Sequence, residues 1–105
     1  MNIKELYANI GLEEEENSEL IDLFIQSGGD DLQKIADGVA AGNADQVMRA
    51  AHTIKGAAGN LGLVDVSAAA KVIEARAMNN QLGELTEALR TLQGLIKQIS
   101  DETGA

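Results

Sequence analysis

The chain holds one histidine, His52, and no cysteine. A neutral imidazole is a nucleophile at physiological pH, and it titrates in the range where most side chains do not. It sits in the string Arg49-Ala50-Ala51-His52-Thr53-Ile54-Lys55-Gly56-Ala57-Ala58-Gly59. The absence of cysteine excludes thiolate chemistry and disulfides. One histidine without cysteine leaves no ordinary ligand set for zinc, and no second histidine is present to complete a catalytic pair. There is no P-loop, and no glycine-rich nucleotide motif follows a strand. The one imidazole and the residues spaced around it are the part of the chain whose types and spacing could do chemistry.

At about 100° per residue, a helix through this string puts Val47, Ala51, Ile54 and Ala58 on one apolar stripe. His52 then points about 125° away from that stripe, toward the flank of whatever the helix packs into. Met48, Lys55, Gly56 and Gly59 share its side. Each glycine inside a helix costs about 1 kcal/mol relative to alanine. Two on the histidine's own face therefore suggest a clearing through which another molecule reaches His52. Lys55, one turn on, places an ammonium where it would stabilise negative charge added to the ring. Each feature also has an ordinary reading. A lone histidine is commonly a plain surface or core residue, glycines allow close helix packing, and an exposed lysine is solvated.

The elements that must hold these residues follow from apolar spacing. The chain is 45% apolar, only 2% aromatic and free of proline. Its core must be built from aliphatic side chains, and helices are favoured over sheet. Ile3, Leu6, Tyr7 and Ile10 outline a short leading helix. The run Glu13–Glu16 is read as a solvated face near the next helix start, with Asn17 or Ser18 as its cap. Leu20, Phe24, Gly28, Leu32, Ile35 and Val39 mark a long helix ending near Gly42, with Gly28 and Gly29 as sites of a kink or a close approach. Asn43 caps a helix from Ala44 to Asn60, and residues 61–64 form a link. A third helix starts at Asp65 or Ser67 and ends at Asn79 and Asn80. Leu85, Leu89, Leu92, Ile96 and Ile99 mark a fourth, followed by a loose tail from Asp101 to Ala105. The expected fold is all-α: an antiparallel four-helix bundle with a short additional N-terminal helix, forming a single domain over residues 1–105.

The formal net charge of −9 disfavours nucleic acid and anionic membrane surfaces as partners. No stretch is long and apolar enough to span a bilayer, and no signal peptide is visible. A cytoplasmic location is the resulting expectation. A monomer is expected for a bundle of this size.

The string His-Thr-Ile-Lys-Gly-Ala-Ala-Gly-Asn-Leu-Gly, starting at His52, resembles the motif of histidine-containing phosphotransfer (HPt) domains. The match centres on residues 49–63, and the helix pattern on either side agrees with that family's four-helix bundle. The resemblance implies that His52 is phosphorylated on an exposed ring nitrogen, that Lys55 is the phosphoryl-side cation, and that Gly56 is the gap admitting the partner. Arg49-Ala50-Ala51-His52 also looks like the phosphoacceptor domain of chemotaxis-type histidine kinases, where a glutamate on the next helix lies beside the histidine. Glu74 occupies the matching position; it either orients the imidazole or is a solvated face residue.

By this resemblance the protein is a phosphorelay intermediate, a phosphocarrier with no ATP site of its own. It exchanges a phosphoryl group with an aspartate on a response-regulator receiver domain, downstream of a histidine kinase or hybrid kinase. The chain itself binds no cofactor, and Mg²⁺ is expected on the partner receiver domain. The expected docking face combines Arg49, Met48, Gly56 and Gly59 with Ile21, Ile25, Gly28 and Gly29 of the long helix, although apolar residues there equally suit the core. Two other readings stand beside this one: a helical interaction module without phosphorylation, and the phosphoacceptor fragment of a larger chemotaxis-type kinase. The initiating Met and the polar end suit a free-standing protein.

Overall fold

Three helices end on the same hydrogen-bonded stop, and these stops divide the chain. A computed structural model describes residues 14–103, with side chains described over 19–102. Helix α1 spans Glu14–Ala41, α2 spans Ala44–Asn60, α3 spans Val64–Met78 and α4 spans Thr86–Thr103; a 3-10 turn over Leu82–Glu84 precedes α4. Gly42 and Gly62 end α1 and α2 with φ of 69° and 72°, and Asn80 ends α3 with φ of 57°. At each stop the next residue's N–H reaches back to a carbonyl in the last turn: Asn43 to Gly38, Leu63 to Ala58, Gln81 to Arg76. This left-handed turn satisfies carbonyls that the helix would otherwise leave unpaired, and glycine adopts it without strain. At the start of α2 the Asn43 side chain accepts from the Gln46 N–H at 3.1 Å, as its sequence position predicts.

The four helices form an all-α bundle. Helix α1 packs against α2 and α4, and α3 packs against the same two. Along the α2–α3 seam, the Ser67 hydroxyl near the start of α3 donates to the Lys55 carbonyl, whereas His52, earlier in α2, reaches Glu74, later in α3. The core is aliphatic apart from Phe24. Val47, Ala51, Ile54 and Ala58 of α2 are all buried, and so are Val66, Ala70, Ile73 and Ala77 of α3. The stripe expected on α2 is therefore the buried one.

Several expectations need correction. The core seam of α1 runs through Ile21, Phe24, Gly28, Asp31, Ile35 and Gly38, a spacing of alternating threes and fours. Leu20, which was expected on this stripe, is 39% exposed, and Leu32 and Val39 are only half-buried. The shift arises because Asp31 and Gly38 occupy seam positions that carry no apolar signal. Helix α1 continues unbroken through Gly28 and Gly29. A Cβ at Gly28 would meet Ile96 Cδ1 at 3.6 Å, which is ordinary contact. The close approach lies at Gly38, where a Cβ would fall 2.8 Å from Val47 Cγ2 and 3.2 Å from the Asn43 carbonyl. Asn17 and Ser18 lie within α1 and not at its cap, because the helix already includes Glu14 to Glu16. Asp101 and Glu102 belong to α4 and not to a loose tail. The leading helix expected around Ile3–Ile10 lies outside the described residues.

Candidate functional site

Helix α2 turns its apolar stripe inward and so turns His52 outward, with 69% of its side chain exposed. Helix α3 brings Glu74 beside it, because α3 buries Ile73 and Ala77 and leaves the intervening Glu74 on the edge of the seam with α2. Glu74 Oε2 lies 2.5 Å from His52 Nδ1, and Lys55 Nζ donates to Glu74 Oε1 at 2.7 Å. One carboxylate thus holds both groups, each of its oxygens taking one of them. Only 14% of the Glu74 side chain is exposed, against 29% for Lys55.

The electrostatics favour an ionised Glu74. The hydrogen-bonded Lys55 ammonium holds its carboxyl below the usual carboxylate range; burial pushes the other way, and the His52 contact adds to the lowering. An ionised carboxylate only accepts hydrogen bonds, so the proton of neutral His52 must reside on Nδ1. The lone pair is then on Nε2, at the opposite edge of the ring from Glu74. This arrangement orients a nucleophile: one ring nitrogen is anchored and the other faces outward.

The ring opens into a shallow groove between α2 and α3, lined by Met48, Arg49, Thr53, Lys55, Glu74 and Met78. Arg49 is exposed and pairs with Asp45 at 2.9 Å, one turn toward the start of α2. Met48 is half-buried against the core, while Met78 is 67% exposed. Gly56 faces open space: a Cβ there would meet nothing within 4 Å. Gly59 is also exposed, but its Cβ would touch Ser67 Oγ at 3.7 Å. Of the two glycines, Gly56 alone has open space where a side chain would stand, and Gly59 lies against the start of α3. Among the described residues, no group of three or more histidines and acidic side chains is placed to hold a metal ion.

The structure brings His52, Lys55 and Glu74 together and puts Arg49, Met48 and Gly56 around them. It does not bring the α1 candidates along. Ile21 is fully buried, and Gly28 is buried against Phe24 and Ile96, so neither offers a face to a partner. They occupy the seam that α1 uses to close the bundle. Ile25 is half-buried against the core, and only Gly29 is exposed. Met78 was missed from the sequence; its signal was an apolar residue one turn beyond Glu74, at the end of α3.

A family model of the Hpt domain matches residues 19–102, which include all three members of the His52–Lys55–Glu74 cluster. No curated protein and no solved structure was found to match the chain. The match covers most of the chain and the whole of the site, and the chain belongs to the Hpt domain family, whose role is phosphotransfer in two-component signalling.

Proposed function

We propose that this protein is a phosphorelay intermediate that carries a phosphoryl group on Nε2 of His52. The observation that carries the reading is the anchored yet exposed imidazole: Nδ1 is held by Glu74 while most of the ring faces solvent. In the accepting step the Nε2 lone pair attacks phosphorus on a receiver's phospho-aspartate. The phosphorus–oxygen bond breaks, and the aspartate leaves as a carboxylate. The reverse step loads a receiver. The Nδ1 proton stays in place throughout, and Glu74 offsets the positive charge that grows on the ring.

The partners under this reading are a response-regulator receiver domain and an upstream histidine or hybrid kinase. The receiver supplies the aspartate and the Mg²⁺, and the chain acts in the cytoplasm as a monomeric carrier that binds no ATP. The docking face is the His52 groove, with Arg49, Met48 and Met78 at its walls and Gly56 beside it. Glu74 supports a second reading of the same chemistry, in which the domain belongs to a larger chemotaxis-type kinase. The donor is then ATP held on another domain.

The test is incubation with phosphorylated receiver domains, followed by analysis of the label on this chain. Label on His52 should be lost in acid and retained in base, as expected of a phosphoramidate. His52→Gln should fold and accept nothing. Acid-stable label on that variant would move the site to a hydroxyl and end the proposal. Loading only by a kinase catalytic domain with ATP, and by no receiver, would select the second reading.

A further inference from the structure

We propose that Arg49, and not Lys55, grips the phosphoryl group on His52, and that it does so by giving up Asp45 in exchange. The inference rests on the reading of His52 as the phosphoacceptor.

Lys55 is already committed. Its ammonium lies 2.7 Å from a Glu74 oxygen, and both side chains are mostly buried. The pair is close to neutral as a unit. If Lys55 turned to a phosphoryl group, it would leave a largely buried carboxylate short of its strongest partner.

The layout of α2 puts the phosphoryl group nearer a different cation. Arg49 and Lys55 stand three residues before and three after His52. At about 100° per residue they flank it by about 60° on opposite sides. Glu74 reaches both His52 and Lys55, so α3 lies on the Lys55 flank. Arg49 is on the other. Nδ1 faces Glu74, and Nε2 lies at the far edge of the ring. A phosphoryl group on Nε2 is therefore held away from the Lys55–Glu74 pair. Side chains three apart on a helix are neighbours, about 5–6 Å between Cβ atoms, well within the reach of arginine.

Arg49 is also free to move. Its partner Asp45 is 61% exposed and Arg49 itself 77% exposed, so their pairing is a weak surface contact. Asp45 sits in the first turn of α2, where the helix dipole stabilises a carboxylate without a cation. Arg49 lines the His52 groove and also the neighbouring one that holds Asp45, so the exchange is a swing of one side chain. A phosphoryl group brings nearly two negative charges and several acceptor oxygens, and a guanidinium fork binds that geometry better than it binds one exposed carboxylate.

The experiment needs no partner protein. Phosphoramidate is the donor to the full chain: Nε2 attacks phosphorus, the phosphorus–nitrogen bond breaks, and ammonia leaves. The phosphoryl group is then titrated by ³¹P NMR in wild type, Arg49→Gln, Arg49→Lys, Lys55→Gln and Asp45→Asn, while the Arg49 Nε–H resonance is followed in wild type. A gripping cation lowers the phosphoryl pKa. Arg49→Gln should raise it by about one pH unit, Arg49→Lys should restore part of that, and Lys55→Gln should change it less. Asp45→Asn should leave it unchanged or lower it slightly, and the Arg49 resonance should move on phosphorylation. The assignment is overturned if Lys55→Gln gives the larger change, or if Arg49→Gln leaves the titration where it was. A wild-type chain that takes up no phosphoryl group at His52 overturns the phosphoacceptor reading as well, and the two failures are told apart by the wild-type spectrum alone.

Discussion

Replacing Glu74 with alanine removes both contacts of the cluster at once, and the structure sets the size of the effect. The Lys55–Glu74 hydrogen bond joins two charged groups that are each less than one-third exposed. Such a bond contributes about 1.5–3 kcal/mol. The His52 contact involves a mostly exposed ring, so at most about 1 kcal/mol comes from it. Alanine's better helix propensity returns a few tenths. Glu74→Ala should therefore destabilise the domain by about 2–3 kcal/mol, lowering Tm by about 8–16 °C for a domain of this length. The pH dependence has a definite sign. The folded Glu74 carboxyl titrates below its unfolded counterpart. Its contribution is fully present above the unfolded carboxylate range and is lost as pH falls through the folded value. Thermal melts of wild type and variant should differ at neutral pH and draw together as pH falls from the ordinary carboxylate range toward the lower folded value. Phosphoryl acceptance by His52 should slow as well, by about tenfold for each 1.4 kcal/mol of lost orientation. A stability gap that stays constant from pH 7 to pH 3 would refute the charge-based account and reduce Glu74 to a packing residue.

Two further outcomes follow from the glycines. Gly56→Ala should stabilise the isolated domain by up to about 1 kcal/mol, because open space surrounds that position; Gly56→Gln should melt near the parent temperature yet exchange phosphoryl groups poorly with a receiver, and normal exchange would place docking elsewhere. Gly38→Ala should behave oppositely, losing about 1–3 kcal/mol in a denaturant titration because the new methyl would fall 2.8 Å from Val47 Cγ2, with phosphoryl uptake by the folded fraction unchanged.

Much of the site was legible because it lies on one amphipathic helix. The stripe of Val47, Ala51, Ile54 and Ala58 orients α2 without ambiguity, so the outward direction of His52 and Gly56 follows from spacing alone. Lys55 was legible in place but not in partner. Its bond to Glu74 depends on how α2 and α3 are set against each other, which no single-helix pattern contains. Glu74 itself came from the family resemblance. Helix α1 was read correctly at Phe24, Gly28 and Ile35 and one position off at Leu20, Leu32 and Val39, the last two because Asp31 and Gly38 hold the seam there. The carboxyl of Asp31 is buried, its ion-pair partner among the described residues is Lys34 at 3.8 Å, and burial raises its pKa; a hydrophobicity pattern places such a residue on the outside. Ile21, which the sequence left open between docking face and core, and Gly28, which it placed on both, are core.

The contacts that build the site are also short along the chain. Ser67 bonds to Lys55 across 12 residues, Lys55 to Glu74 across 19, and His52 to Glu74 across 22. All three close within the α2–α3 hairpin, whereas the contact of α1 with α4 joins opposite ends of the domain. Loop-closure entropy grows with the length enclosed, and contacts that are local in sequence form fastest. The groups that hold the imidazole are therefore assembled within a single hairpin of neighbouring helices. The first turns of α1 and the last turns of α4, where a helix frays most readily, lie far along the chain from those groups.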